Sequence, residues 1–442
     1  MVYETYTIVQ LCKIGKQMND FMPFHYQNGE LYCDHVPISE IVANTGTPLY
    51  LYSGNRLRQN YHRLSDIFAS IHPCTYYSVK ANSNLSILRL MNELGSGFDI
   101  VSGGELYLAL KAGVTPEKLV FAGVGKTESE LNYAIQSQIG HFNVESIQEV
   151  ERLNYLAGLQ SKVVNVALRL RPGVNAGSHP SLVTGSASSK FGMSPVEGLR
   201  IVQRIADFPH LRLGGVHLHI GSQLADPIAT LAAIDTAIDF INTSKLKELT
   251  RSQGSMPLLN IGGGFPINYR DDQKGISIDD FTAPIISRLL AEAAELKFAI
   301  EPGRYIAGDS GAVILTVQYR KEVDGNWILV VDGGINMLLR PALYDAYHRV
   351  LPLTQYSSSD IHFLTSVVGP ICESSDILAR DRTLPPLSPD DCLAILDTGA
   401  YGFTMASNYN SQPRPAEVLV ENASFHLIRR RETYSDLVVY ES

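Results

Sequence analysis

Short runs of β-branched and aromatic residues alternate with longer amphipathic stretches through the middle of the chain. Eight such runs occur, at 76–81, 97–102, 119–123, 141–146, 164–170, 215–221, 258–264 and 298–304. Several stretches between them open with a capping box, at Thr127–Glu130, Ser146–Glu149 and Ser194–Glu197. An alternation of strand and helix repeated eight times over about 230 residues predicts a (β/α)8 TIM barrel, with an open doubly wound sheet as the alternative.

A different pattern follows residue 310. Two apolar runs, 312–320 and 326–331, flank Glu322-Val323-Asp324-Gly325, which is a hairpin signal. Later strand-like runs are separated by turns rich in Pro, Ser and Gly, and similar runs occur within 31–53. We therefore predict a second, mostly β domain, sandwich-like or barrel-like, built from residues 20–53 and 309–442. The barrel, residues 54–308, would be inserted between its two parts.

Composition narrows the possible partners and the compartment. The 442 residues are 45% hydrophobic and 18% charged, with a formal net charge of -9, which argues against a nucleic-acid-binding surface and favours small molecules or further copies of the chain. Five cysteines without a CxxC spacing indicate a reducing compartment, and we expect the cytoplasm. We see no apolar leader and no apolar run as long as a membrane span.

Polar residues stand where the predicted barrel strands end. In a barrel these ends share one face, where catalytic groups collect. The residues are Lys80, Asp99, Arg169, His217, His219, Gly262 to Gly264, Glu301 and Arg304. Lys80 alone could be a surface lysine with its stem packed on apolar residues, but among these neighbours a Schiff-base lysine is favoured.

The glycine triplet points to a phosphate. Without Cβ atoms, Gly262 to Gly264 let backbone N–H groups approach an anion, and Ser222 and Arg304 could add donors. A phosphate beside a lysine suggests pyridoxal 5'-phosphate, whose ring nitrogen Glu301 could keep protonated and on whose face His219 could stack. His217 is interpreted as a packed histidine. The alternative for the His-x-His pair is a zinc site of a metal-dependent barrel hydrolase, although no other strand end carries a histidine.

Motifs spread over residues 30 to 435 carry a resemblance to a known family. They are YYSVKAN, GSGFDIVSGGEL, HLHIGSQ, NIGGGF, EPGRYI, LLRPALYDAYH, GPICESSD and GAYGFTMASNYNSQPRPAEVLV. Together they resemble the pyridoxal-phosphate-dependent decarboxylases of the alanine-racemase fold (fold type III), and SNYNSQPRP and LLRPALYDAYH favour the diaminopimelate branch. Where this family usually has an acidic residue, the chain reads Asn336-Met337.

The resemblance implies roles for individual residues. Lys80 would hold the cofactor covalently, and the other cofactor-binding residues would be His219, Ser222, Gly263, Gly264, Glu301, Gly303, Arg304 and Tyr401. Cys372 would be the catalytic acid that protonates Cα, supplied by the neighbouring subunit of a homodimer with shared active sites. The substrate-binding residues would be Arg304, Arg340, Tyr344, Glu373 and Tyr401.

The implied reaction removes carbon dioxide from the D-configured end of meso-2,6-diaminopimelate and yields L-lysine, the last step of lysine biosynthesis. No metal is expected. The alternatives are a related decarboxylase of ornithine, lysine, arginine or carboxynorspermidine and, from another class, the barrel hydrolase. A diamino diacid keeps a distal carboxylate after the reaction, so a site for it needs a cation such as Arg340.

Overall fold

The structure is a computed structural model that describes residues 22–174, 184–186, 188–270, 275–292, 294–357 and 361–441. The first of these begins with three short antiparallel strands, followed by a helix and a fourth strand. They are β1 (Phe24–Gln27), β2 (Glu30–Cys33), β3 (Val36–Pro37), α1 (Ile38–Thr45) and β4 (Leu49–Ser53).

Eight parallel strands then close into a barrel in the order β10-β11-β12-β5-β6-β7-β8-β9. They are β5 (Cys74–Ser78), β6 (Gly97–Ile100), β7 (Leu119–Phe121), β8 (His141–Val144), β9 (Val164–Arg169), β10 (Leu211–His217), β11 (Leu258–Asn260) and β12 (Lys297–Ile300). This confirms the predicted fold class. Most strands end earlier than the predicted runs do, because nearly every run includes polar or glycine residues that follow the last paired position. Lys80 therefore follows β5 in a short 3-10 turn instead of ending the strand.

Helices surround the barrel. They are α2 (Gly54–Ile67), α3 (Leu85–Glu93), α4 (Gly103–Lys111), α5 (Glu128–Ser137), α6 (Ile147–Leu159), α7 (Pro195–Gln203), α8 (Ile228–Thr243), α9 (Leu246–Ser252), α10 (Ile278–Leu290) and the short α11 (Arg304–Ala307). The capping boxes at Thr127 and Ser194 are both present. The one at Ser146 is incomplete: its hydroxyl accepts from the N–H of Glu149, but the Glu149 carboxylate accepts from the N–H of Glu145 instead.

The chain after the barrel forms a mostly β region. It contains β13 (Gly311–Val323), β14 (Asn326–Val331), α12 (Arg340–Tyr344), β15 (Val350–Pro352), β16 (Phe363–Val368), β17 (Ile377–Leu384), β18 (Cys392–Leu396), β19 (Ala416–Glu421) and β20 (Ser424–Arg429). The predicted hairpin joins β13 to β14, with Val323 opposite Asn326. The sheet runs β17-β16-β14-β13-β4-β19-β20, so β4 from before the barrel is hydrogen-bonded between two strands that follow it.

All five residues of β4 are buried. A central strand that is covered on both faces is apolar without alternation, which is why LYLYS shows no polar face. The two tyrosines keep their hydroxyls paired: Tyr50 donates to the Met337 carbonyl at 2.7 Å and Tyr52 to Glu417 at 2.8 Å. These bonds offset the cost of burying a phenol. Within the described ranges, no helix has both the length and the apolar character to cross a bilayer.

Candidate active site

Lys80 faces a carboxylate at the mouth of the barrel. Its Nζ lies 2.5 Å from Oδ2 of Asp99, which is fully buried in β6, and Ser78 donates to the same oxygen at 2.8 Å. Burial lowers the pKa of Lys80, but the charges of Asp99, Tyr401 and Glu301 raise it by more, so its pKa lies above the usual value. The amine is therefore a protonated donor fixed to the barrel, not a lysine that extends into bulk water.

Glu301 follows β12 and is 3% exposed. Its Oε2 lies 2.9 Å from Nε2 of His217, and its Oε1 accepts from Asn260 at 2.7 Å. Burial raises the pKa of Glu301, but His217 and then Lys80 lower it by more, so the carboxyl is ionised. His217 is packed, as the sequence indicated, and its ring also fixes this carboxylate.

His219 meets the glycine triplet beside Glu301. The N–H of Gly263 donates to Nδ1 of His219 at 3.2 Å. Burial and the positive charges of Lys80 and Arg169 lower the pKa of His219 well below its usual value, so the ring is neutral. A Cβ at position 263 would lie 2.5 Å from the Glu301 carbonyl oxygen, so only glycine permits this approach.

Arg304 is a buried cation without an acidic partner. It is 6% exposed, and its Nε and Nη2 donate to Oγ of Ser222 at 3.1 and 3.0 Å. Its Nη1 donates to the hydroxyl of Tyr269 at 2.7 Å. No carboxylate in the described part of the chain forms an ion pair with it. An uncompensated buried charge is costly, so this arrangement favours an anionic ligand.

Tyr401 and Tyr344 also belong to the surroundings of Arg304. The Arg304 guanidinium carbon lies 4.9 Å from the centre of the Tyr401 ring, and the N–H of Tyr401 donates to the carbonyl of Ala81 at 2.8 Å. Burial lowers the pKa of Arg304, whereas the phenols of Tyr269, Tyr401 and Tyr344 raise it by more. Together with Lys80, a set of predicted residues lines one pocket: His219, Ser222, Gly264, Glu301, Gly303, Arg304 and Tyr401.

Arg340 is a second buried cation and lies at the start of α12. It is 5% exposed, its Nη1 lies 3.0 Å from Nε2 of His348, and its guanidinium carbon lies 5.0 Å from the centre of the Tyr269 ring. Its Nε has no hydrogen-bond partner, and no carboxylate in the described ranges pairs with the group. Tyr269 thus contacts both guanidinium groups, one through its hydroxyl and the other through its ring.

Sequence reasoning missed Tyr269 and His348. His348 is the last residue of the LLRPALYDAYH motif, so that motif contained a signal for it. Tyr269 follows the GGGF run by four residues, and nothing in its local pattern distinguishes it from a loop tyrosine. Both come from segments that meet only in the folded chain.

Cys372 and Glu373 lie apart from this pocket. Both are exposed; the N–H of Cys372 donates to Oδ1 of Asn410 at 3.0 Å, and Glu373 accepts from the hydroxyls of Tyr409 and Ser375. Neither is among the residues that surround Lys80. Within one chain, the described structure does not bring these two predicted residues to the lysine.

The pocket fits a phosphorylated pyridine aldehyde. Arg304 and Ser222 offer N–H and O–H donors for a phosphate beside Gly264, the residue of the glycine triplet that lines the pocket. The ionised Glu301 retains free lone pairs for a protonated ring nitrogen. The neutral ring of His219 suits stacking on an aromatic face. Lys80 supplies the amine that such an aldehyde requires. In the described residues, no group of three or more His, Cys, Asp or Glu side chains is placed to hold a metal ion.

A larger cavity lies elsewhere, between α6 and α7. It has a volume of about 510 Å³ and includes Arg171, Arg200 and Arg204 in its lining. None of the predicted site residues lines it. We therefore identify the smaller pocket as the candidate active site, because it contains the predicted site residues and the size of a cavity does not by itself assign a function.

Comparisons with known proteins agree with this chemistry. The family model described as "Pyridoxal-dependent decarboxylase, pyridoxal binding domain" matches residues 55–308. A curated relative, diaminopimelate decarboxylase of Aquifex aeolicus, is 41% identical over 96% of this chain and 98% of its own length.

Two solved structures are also similar over most of the chain. Diaminopimelate decarboxylase of Helicobacter pylori complexed with L-lysine is 35% identical, covers 91% of this chain and 98% of that one, and has a TM-score of 0.84. The enzyme of M. jannaschii in co-complex with L-lysine is 34% identical over 95% and 97%, with a TM-score of 0.87. From the matched motifs, the barrel and these relatives, we conclude that the chain belongs to the pyridoxal-dependent decarboxylase family, in its diaminopimelate decarboxylase branch, and uses pyridoxal phosphate.

Proposed function

We propose that the protein decarboxylates meso-2,6-diaminopimelate at its D-configured end and releases L-lysine and carbon dioxide, the last step of lysine biosynthesis. The observation that carries this choice of substrate is Arg340, a buried guanidinium whose hydrogen-bond partner is the uncharged His348. A buried cation that is not paired with an acid suits the distal carboxylate, which diaminopimelate has and ornithine lacks. The names of the relatives and the L-lysine in two related structures support the same substrate.

The chain's own residues bind and orient the reacting groups. Pyridoxal phosphate, when bound, supplies an electron sink for the electron pair left by departing carbon dioxide. Lys80 would hold the cofactor covalently, and Arg304, Ser222 and Gly264 would bind its phosphate. Glu301, whose carboxylate is fixed by His217 and Asn260, would pair with the ring nitrogen of the cofactor. Tyr344 and Tyr401 line the substrate side, where Arg304 also contacts the substrate.

The proton for Cα comes from Cys372 of the neighbouring subunit in this proposal. The support is that Cys372 and Glu373 are exposed and are held by Asn410 and Tyr409, away from the pocket of their own chain. A cysteine thiol is one of the side chains that can act as a general acid and donate a proton to a carbanion. The minimal unit is then a homodimer in which each site takes Cys372 and Glu373 from the partner.

Subunit mixing tests this arrangement. We expect purified Lys80→Ala and purified Cys372→Ala each to be inactive, because every site of either homodimer lacks one of the two residues. Mixed and reassembled, half of the dimers combine one variant of each kind and regain one intact site, so activity returns to about a quarter of the wild-type value. If the mixture stays inactive while hybrid dimers are detected by mass, the shared site is wrong.

Carbon dioxide release from a panel of amino acids tests the substrate. The panel contains diaminopimelate, ornithine, lysine, arginine and carboxynorspermidine. We expect diaminopimelate to have the highest kcat/KM, with L-lysine as the product; a preference for ornithine or lysine would replace the proposed substrate.

The four cysteines of the described part are free, and we place the reaction in the cytoplasm, where thiols stay reduced.

A further inference from the structure

The partner of Arg340 is itself buried and held from both sides. His348 is completely buried, and its Nδ1 lies 2.9 Å from the carbonyl oxygen of Leu396 in β18. A carbonyl can only accept, so Nδ1 carries the proton and donates it. The other ring nitrogen, Nε2, then presents a lone pair to Nη1 of Arg340 at 3.0 Å. The backbone of β18 thereby fixes both the tautomer and the direction of the ring.

The surroundings of His348 keep it uncharged. Burial, Arg340, Arg304 and Arg382 all disfavour the imidazolium, and together they lower the pKa of His348 to about 3 against the opposing hydrogen bond to Leu396. The ring of Tyr269 packs edge-on against it, with centres 5.6 Å apart. His348 therefore accepts a hydrogen bond from Arg340 without neutralising its charge.

The neighbouring residue shows the opposite arrangement. Arg349 donates two hydrogen bonds to the Asp397 carboxylate, at 2.9 and 2.7 Å. Such a bidentate ion pair compensates the guanidinium and leaves little attraction for another anion. His348 and Arg349 are therefore adjacent in the chain but differ in role. The guanidinium of Arg349 is paired with an acid, whereas that of Arg340 is held by the neutral ring of His348.

We propose that His348 is a positioning residue that aims Arg340 at the distal carboxylate of the substrate while leaving its positive charge available. The inference rests on the proposed function only in that the ligand carries a distal carboxylate. An acid in place of His348 would hold Arg340 as well but would remove the charge that the ligand needs. The requirement is for a hydrogen-bond acceptor that is not an anion.

Two product-like ligands isolate the distal carboxylate. L-lysine retains it, whereas cadaverine, the same diamine chain without a carboxylate, lacks it. Inhibition constants for L-lysine and for cadaverine are measured on the wild-type, His348→Gln and His348→Glu holoenzymes. The introduced Gln and Glu side chains have the same size as each other, and each offers an oxygen to Arg340. We expect the Gln variant to stay within about threefold of wild type for L-lysine, and the Glu variant to weaken L-lysine by about tenfold or more. Cadaverine changes by less than about twofold in both.

A double-mutant cycle then separates positioning from general loosening. His348→Phe, which removes the acceptor, weakens L-lysine binding in the wild-type background but adds nothing when Arg340 is already alanine. Val418→Ala, in the buried core of the β region, serves as the control: it lowers Tm and leaves the ratio of the two inhibition constants unchanged.

Several outcomes would overturn the inference. They are equal effects of Gln and Glu on L-lysine, parallel losses for L-lysine and cadaverine, or additive effects of His348→Phe and Arg340→Ala. With wild-type enzyme still releasing L-lysine from diaminopimelate, these results would leave the proposed function intact. If wild-type enzyme instead bound cadaverine and ignored L-lysine, the proposed function and this inference would both be wrong.

Discussion

Arg340→Ala removes a side chain that the fold buries at a cost. The guanidinium is 5% exposed, has no acidic partner in the described chain and leaves its Nε without a hydrogen bond. In the complex, two charge-assisted hydrogen bonds to the distal carboxylate would each contribute about 1.5 to 3 kcal/mol. Desolvation of both groups offsets part of this gain. We therefore expect Arg340→Ala to lose about 3 kcal/mol of binding free energy, which corresponds to roughly 150-fold in affinity.

The assay compares substrate kinetics with cofactor binding in the same preparation. We expect KM for diaminopimelate to rise by about 100-fold. The visible absorbance of the bound cofactor should be unchanged, because the proposed phosphate-binding residues Arg304 and Ser222 are hydrogen-bonded to each other and not to Arg340. Arg340→Lys should give an intermediate KM, because it keeps the charge but loses the two-pronged geometry. An unchanged KM in Arg340→Ala would show that Arg340 does not bind the distal carboxylate of the substrate.

Three further changes give separate checks. Gly263→Ala places a Cβ 2.5 Å from the Glu301 carbonyl oxygen, so the loop must shift and the dissociation constant for pyridoxal phosphate, measured by dialysis and reconstitution, should rise by about tenfold; wild-type retention would contradict this. The folded-state pKa of His348 is lowered to about 3, so only the unfolded state takes up a proton as the pH falls from about 6.5, and stability is lost on acidification. In His348→Gln, Tm should therefore fall less steeply between pH 6.5 and 5. Thermal denaturation measures this dependence of Tm on pH, and the same slope as in wild type would contradict the expected contribution of His348. Asn410→Ala should lower kcat by about tenfold with little change in KM, because Asn410 accepts a hydrogen bond from the backbone N–H of Cys372, the proposed proton donor; a change in KM alone would count against that role.

The barrel could be predicted because its signal is repeated. Each strand is a short apolar run between capped helices, so eight weak local patterns support one another. The exact strand ends could not be predicted, since an apolar run does not show where pairing with its neighbour stops. Lys80 illustrates this: Val79 continues the apolar run, yet pairing with β6 ends at Ser78.

The candidate site was predictable in part for the same reason. Residues after β5, β10, β11 and β12 meet because parallel strands end on one face of the barrel. Tyr269 and His348 escaped prediction because a loop and the β region bring them in, and no period in the sequence relates them to Arg304 or Arg340. The partner of Lys80 is a similar case: Asp99 was found at a strand end, but its contact with the amine depends on burial and side-chain direction.

Peptide mass mapping after borohydride reduction of the native holoenzyme tests whether Lys80 carries the cofactor. Reduction makes the link between cofactor and protein permanent, and we expect one pyridoxal phosphate per chain, attached to Lys80. Lys80→Ala should carry none. An adduct on another residue of the wild-type protein, or no adduct in a preparation that releases carbon dioxide from diaminopimelate, would show that Lys80 does not hold the cofactor.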